Sequence, residues 1–184
     1  DYRQSVSARA ELGGGVLLEL SHEIDYLRWL LGEVEWVNAT LSRDGGLEID
    51  VEDTAHLVMG FASRRGAAPV VASLNMDFIR HDRTRACIAI GEAGSLRWNG
   101  IDNTVDVLDR GEDRWQSLFT MNQQGDSTYI AEWRDFLKCI QQSSRPVVSG
   151  YDGLAVLHVI EAARRSSEDG CVVLCSTEKL DSIQ

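Results

Sequence analysis

Between residues 53 and 108 apolar and polar residues alternate in short runs, and most of the connections between runs are too brief to hold a helix. This pattern constrains the fold more than any other feature of the chain. A side-chain period of two places every second residue on one face of a strand. Residues 53–62 set Ala55, Leu57, Met59 and Phe61 against Thr54, His56, Val58 and Gly60. Residues 70–78 set Val70, Ala72, Leu74, Met76 and Phe78 against Ser73, Asn75 and Asp77. Residues 85–90 and 95–98 flank Gly91-Glu92-Ala93-Gly94, and Asn99-Gly100 marks a turn before residues 104–108. Turns this short join antiparallel neighbours, because a parallel crossover needs about a dozen residues.

Helical periods bracket this region. In residues 21–31, Leu20, Ile24, Leu27 and Leu31 share one face, and His22, Asp25, Tyr26 and Trp29 share another; Ser21 is a candidate N-cap and Gly32 a candidate stop. Residues 127–141 carry the stripe Ile130, Trp133, Leu137 and Ile140, and residues 152–167 carry Val156, Leu157, Ile160 and Ala163, with Pro146 between the two helices. Tyr129 and Trp133 are expected in the core, and His56, in mid-strand, is expected to be a packed sheet residue. The run at 171–175, CVVLC, is wholly apolar and is expected inside a sheet. The expected fold class is therefore α+β: a largely antiparallel open sheet with helices packed on one face, the other left for substrate or another subunit.

At 184 residues and 43% hydrophobic content the chain fits one globular domain, residues 1–184, with one core. Eighteen basic against 29 acidic residues give a net charge of −11, and no basic run exceeds Arg64-Arg65 or Arg164-Arg165. Nucleic acid and anionic membranes are excluded as main partners on that balance, and no stretch is apolar for long enough to span a bilayer. Cys87, Cys139, Cys171 and Cys175 are expected to be buried thiols of a reducing cytoplasm, since a strand holds the last two too far apart to bridge. The chain opens at Asp1 rather than a methionine, so it is expected to be processed or part of something longer.

Chemistry concentrates at residues 13–32, GGGVLLELSHEIDYLRWLLG. Three glycines allow positive φ or a close backbone approach. They are not a dinucleotide fingerprint, which needs G-x-G-x-x-G between a strand and a helix. With Ser21 as cap, His22 falls in the first helical turn, where the dipole disfavours the imidazolium and leaves a neutral ring able to trade a proton. Asp25 lies one turn on, within reach of His22 or Arg28. A second concentration is Asp77-Phe78-Ile79-Arg80-His81-Asp82-Arg83, a charged segment leaving an apolar strand. It is either a solvated loop or a contact for a sugar or carboxylate, for which arginine supplies paired donors. A zinc site at His22 with Glu19 or Asp25 lacks ligands, so no metal is expected.

Gly13-Gly14-Gly15-Val16-Leu17-Leu18, an acid, His22-Glu23-Ile24-Asp25 and Arg28-Trp29-Leu30-Leu31-Gly32 resemble the start of the C-terminal domain of the Gfo/Idh/MocA oxidoreductases, the family of glucose-fructose oxidoreductase and inositol dehydrogenase. Ile90-Gly91-Glu92-Ala93-Gly94-Ser95-Leu96 resembles that family's sheet hairpin, and Pro146 to Gly153 with Ala162-Ala163-Arg164-Arg165-Ser166 its last helix. The resemblance implies the second half of a two-domain enzyme whose first half, a Rossmann domain, binds NAD or NADP. No cofactor-binding residue is then expected in this chain, and Glu178-Lys179-Leu180 is not the family's Glu-Lys-Pro motif.

Carried over, the resemblance makes His22 the acid/base that takes a proton from a sugar or polyol hydroxyl as hydride leaves for the nicotinamide. The family's acid stands four residues before its histidine. Here position 18 is Leu, and the acid, Glu19, stands three before, on a longer side chain. The expected site is therefore His22 and Glu19 as catalytic residues, with Asp25, Arg80, His81 and Arg83 toward substrate, in a cytoplasmic homodimer or homotetramer formed through the sheet. The alternative is a binding or assembly domain without catalysis, its displaced acid marking lost chemistry.

Overall fold

The computed structural model describes residues 2–62, 68–122 and 125–175. Arg64-Arg65 and Glu178-Lys179-Leu180 lie outside them. The chain forms two compact units, Asp1–Ile79 with Val148–Gln184, and Arg80–Val147.

The first unit opens with three 3₁₀ turns, Tyr2–Gln4, Val6–Ala8 and Ala10–Leu12, and then helices α1 (Val16–Glu19) and α2 (Ser21–Leu31). Strands β1 (Val34–Ser42), β2 (Thr54–Phe61) and β3 (Val70–Asp77) pair antiparallel in sequence order, with full register from Thr54↔Asp77 to Phe61↔Val70. Long helix α4 (Gly150–Asp169) packs against β1 and α2. The alternation read in β2 is the core: Ala55, Leu57, Met59 and Phe61 are buried, and Ile24 and Leu27 of α2 and Ile160 and Ala163 of α4 close over them. His56, expected to be packed, instead faces outward, its Nδ1 2.7 Å from Asn75 Oδ1 across the strand pair.

The C-terminal apolar run does not enter the sheet's interior. Only Val173–Leu174 forms a strand, β8, at the edge in the order β3-β2-β1-β8. The cause is competition for β1: the amides of Ala39 and Leu41 donate to Ser166 Oγ and Ser167 Oγ of α4, each at 2.9 Å. That leaves only Trp36 and Val37 to pair with β8. Cys171 is consequently exposed rather than buried, and all four cysteines are free thiols.

The second unit is a four-stranded antiparallel sheet, β4 (Ala86–Gly91), β5 (Gly94–Asn99), β6 (Thr104–Asp109) and β7 (Gln116–Thr120), followed by α3 (Ser127–Gln142). The antiparallel α+β expectation stands, with its strands divided between two sheets. Both expected turns form: Gly94 joins β4 to β5, and Asn99 Oδ1 accepts from the amides of Ile101 and Asp102. Helix α3 forms where its period places it, but its stripe is not core. Trp133 is 61% and Tyr129 71% exposed, with Ile130, Leu137 and Ile140 also open. An apolar period specifies a helix with one apolar side; it does not specify what covers that side.

Candidate active site on the second helix

Each of the three glycines has a distinct structural reason. Gly13 and Gly15 sit at φ of 80° and 108°, where a side chain is strained. Gly14 lies so close to the preceding 3₁₀ turn that a Cβ would fall 2.5 Å from Val6 O. The chain then enters α1 with its first amides already bonded: Val16 N donates to Glu52 O, and Leu17 N to Glu52 Oε1, each at 3.1 Å. This is where a glycine loop feeding a helix would cradle a dinucleotide phosphate. The Glu52 carboxylate occupies that position, and a Cβ on Gly15 would run into it. The loop does not fit the cofactor's phosphates.

Leu20, at φ −103° and ψ 24°, breaks the run between α1 and α2. The amide of Leu20 bonds Val16 O, and that of Glu23 bonds Leu20 O, so α2 follows directly on the turn of α1. Ser21 makes no side-chain cap. His22 stands in the first turn of α2, with Leu20 rather than Ser21 at the cap position.

His22 is half exposed, and its Nε2 lies 3.1 Å from Glu23 Oε1. Glu19 is exposed in α1, and its side chain has no hydrogen bond or ion pair among the described residues. Asp25 lies 3.6 Å from Arg28. Arg28 is buried, grips both Glu33 oxygens at 3.0 and 2.7 Å, and donates through Nη1 to Asp152 O of α4 at 3.1 Å. Asp152 and Ser149 form a capping box at the start of α4, and those hydrogen bonds from Ser149 hold the Asp152 carboxyl below its ordinary value. Glu23, Glu33 and Asp152 were not singled out from the sequence. Glu23 was adjacent to the histidine and could have been weighed; the Arg28 contact to Asp152 spans 124 positions and leaves no local trace.

The remaining candidates belong to the second unit. Arg80 is engaged by Asp82 at 2.6 and 3.1 Å, and Thr84 also donates to Asp82, which sets that carboxyl at about 2. His81 and Arg83 are exposed, and neither has a hydrogen bond or ion pair among the described residues. A cleft of about 650 Å³ in the first unit, bounded by Gly13, Leu18, Arg43, Glu52 and Arg164, includes none of the six candidates.

The chain is 28% identical over 169 residues to myo-inositol 2-dehydrogenase of Thermotoga maritima, covering 86% of this chain and 48% of that protein. Levoglucosan dehydrogenase in complex with NADH superposes with a TM-score of 0.77 at 25% identity, covering 89% of this chain and 51% of that one. Aldose-aldose oxidoreductase from Caulobacter crescentus, complexed with glycerol, shares the fold with a TM-score of 0.77 at 23% identity over 93% of this chain and 51% of that one. The chain thus spans about half the length of these relatives. Residues 3–174 match the Gfo/Idh/MocA model described as the oxidoreductase family's C-terminal alpha/beta domain, and the chain belongs to that family.

Proposed function

We propose that this chain is the C-terminal, substrate-binding and oligomerising part of an NAD(P)-dependent dehydrogenase acting on a sugar, polyol or related hydroxy compound. The observation that carries the proposal is His22: an imidazole half open to solvent at the start of α2, beside a largely covered carboxylate, in a chain of an oxidoreductase family. An accessible ring with a fixed acid neighbour suits proton exchange with a substrate hydroxyl. The names of the relatives, myo-inositol 2-dehydrogenase and levoglucosan dehydrogenase, support the substrate class.

The nicotinamide would supply the hydride chemistry, and it is assigned to a Rossmann domain preceding this chain, in line with a glycine loop already filled by Glu52. What this chain contributes is the proton acceptor: His22 takes the hydroxyl proton as the carbonyl forms. His81 and Arg83, without a polar partner among the described residues, are assigned to substrate contact, and Arg80 with them through its place on the same segment. Four unpaired thiols, one of them exposed, support a reducing cytoplasm as the compartment.

The test is His22→Asn in the full-length protein, assayed with a panel of sugars and polyols. Turnover is expected to fall on the order of a hundredfold with cofactor affinity kept. Unchanged turnover would remove His22 from the chemistry and favour a domain that binds or assembles without catalysing.

A further inference from the structure

We infer that Glu23, rather than Glu19, is the carboxylate that positions His22, so that the ring presents Nδ1 to the substrate. The inference rests on the proposal that His22 carries the proton, and assigns the side chain that makes it competent.

Three features of the site point to Glu23. Its Oε1 lies 3.1 Å from His22 Nε2, an ion pair whenever the ring is protonated. The two side chains differ in exposure as an orienting acid and a working base should: Glu23 is 12% exposed and His22 51%. Its backbone is also fixed, since the Glu23 amide donates to Leu20 O at 2.9 Å in the turn that starts α2. Glu19 lacks the first two, although its amide is likewise bonded, to Gly15 O at 3.0 Å. It lies on the far side of the Leu20 break, exposed, and its side chain is without a polar partner among the described residues.

The consequence for the ring follows from the two nitrogens of a neutral imidazole, one a donor and the other an acceptor. With Nε2–H turned toward the Glu23 carboxylate 3.1 Å away, the lone pair is on Nδ1. During oxidation of a secondary alcohol, Nδ1 takes the hydroxyl proton as the C–O bond becomes a carbonyl; a nicotinamide, when bound, would accept the carbinol C–H pair as hydride. The imidazolium so formed carries the added positive charge beside the Glu23 carboxylate. In the reverse direction Nδ1–H returns the proton to the alkoxide. Glu23 touches neither substrate nor cofactor, which makes it a positioning residue.

Two measurements test this. The tautomer of His22 in the 184-residue chain is read by long-range nitrogen–proton correlation in the imidazole. The Nε2–H form is expected, and is lost in Glu23→Ala. Steady-state kinetics of the full-length enzyme are then compared for Glu23→Ala, Glu23→Gln and Glu19→Gln. Glu23→Ala is expected to lower kcat about tenfold or more with KM within about twofold. Glu23→Gln, which keeps an oxygen acceptor at similar reach, is expected to restore part of kcat. An Nδ1–H tautomer in the unaltered chain overturns the inference even if Glu23→Ala fails to fold. So does a kcat loss that follows Glu19 and not Glu23. If His22→Asn turns over normally, the dehydrogenase reading itself falls; if His22→Asn is inactive and Glu23→Ala is not, only the role of Glu23 falls.

Discussion

Asp53 shows how a buried acid is held in its charged form. It is 1% exposed, and burial, the largest influence on it, raises the carboxyl's pKa. The amides of Asp44 and Gly45 and the hydroxyl of Thr54 donate to it at 2.8 to 3.0 Å, and Arg43 is near; together these outweigh burial, and the pKa falls below the ordinary 3.8. A carboxyl with a lowered folded value stabilises fully above the unfolded value, and that contribution disappears as pH falls through the folded one. Asp53→Asn is therefore expected to cost about 1 to 2 kcal/mol at neutral pH. The gap between variant and parent in denaturant midpoint should close as pH drops below 3.8, the ordinary value. A gap that stays constant down to that range would mean the charge is not what those donors stabilise. At this scale the sequence was partly legible. Three consecutive glycines announced positive φ or close approach, and the structure uses both, at Gly13 and Gly15 for the first and Gly14 for the second. Glu52, which caps α1 from 35 positions away, could not have been read, because nothing local couples an acid to a distant helix start.

Among the elements, α2 carries the candidate chemistry, and Arg28 fastens it. One guanidinium bonds the Glu33 carboxylate, just ahead of β1, and a carbonyl in the first turn of α4, so the three elements meet at one buried cation. Replacing it by an unbranched apolar side chain, Arg28→Met, keeps much of the packing of its stem but leaves the Asp152 carbonyl and Glu33 without the guanidinium's donors. A loss of about 2 kcal/mol in unfolding free energy is expected, with the far-ultraviolet spectrum unchanged. A midpoint equal to the parent's would show that water substitutes for the guanidinium and that α2 is held by Ile24 and Leu27 alone. The apolar period of α2 was readable because its buried face is repaid within its own unit. The same period in α3 misled, since Trp133 and Ile140 lie open. The strand expected at 171–175 shrank to two residues for a reason outside any propensity: Ser166 and Ser167 had already taken the amides of β1.

For the whole molecule, alternation with short turns was enough to read antiparallel sheets, because both signals are local. It could not show that the strands divide into two sheets. The segment between β3 and β4 reads equally well as a long connection within one sheet, and only non-local pairing separates the cases. The second sheet bears on assembly. Directly opposed residues share a face, so Cys87, Trp98, Val105 and Phe119, and in the next row Ala89, Leu96, Val107 and Gln116, form one side of it. That side is apolar but for Gln116, and Leu96 and Phe119 are 43% and 54% exposed. Apolar side chains left open over two rows of a sheet are the surface that a self-complementary contact uses. If assembly proceeds through it, Leu96→Glu places a carboxylate, and in a two-fold contact its symmetry mate, into a closing apolar surface, at a cost of several kcal/mol. Light scattering should then give a multiple of the chain mass for the parent and the mass of one chain for Leu96→Glu, with the same circular dichroism. A parent that already runs at the mass of one chain would remove the sheet face as a self-association surface for this chain. A Leu96→Glu variant that keeps the multiple would move the contact elsewhere, to a surface that the added charge does not reach.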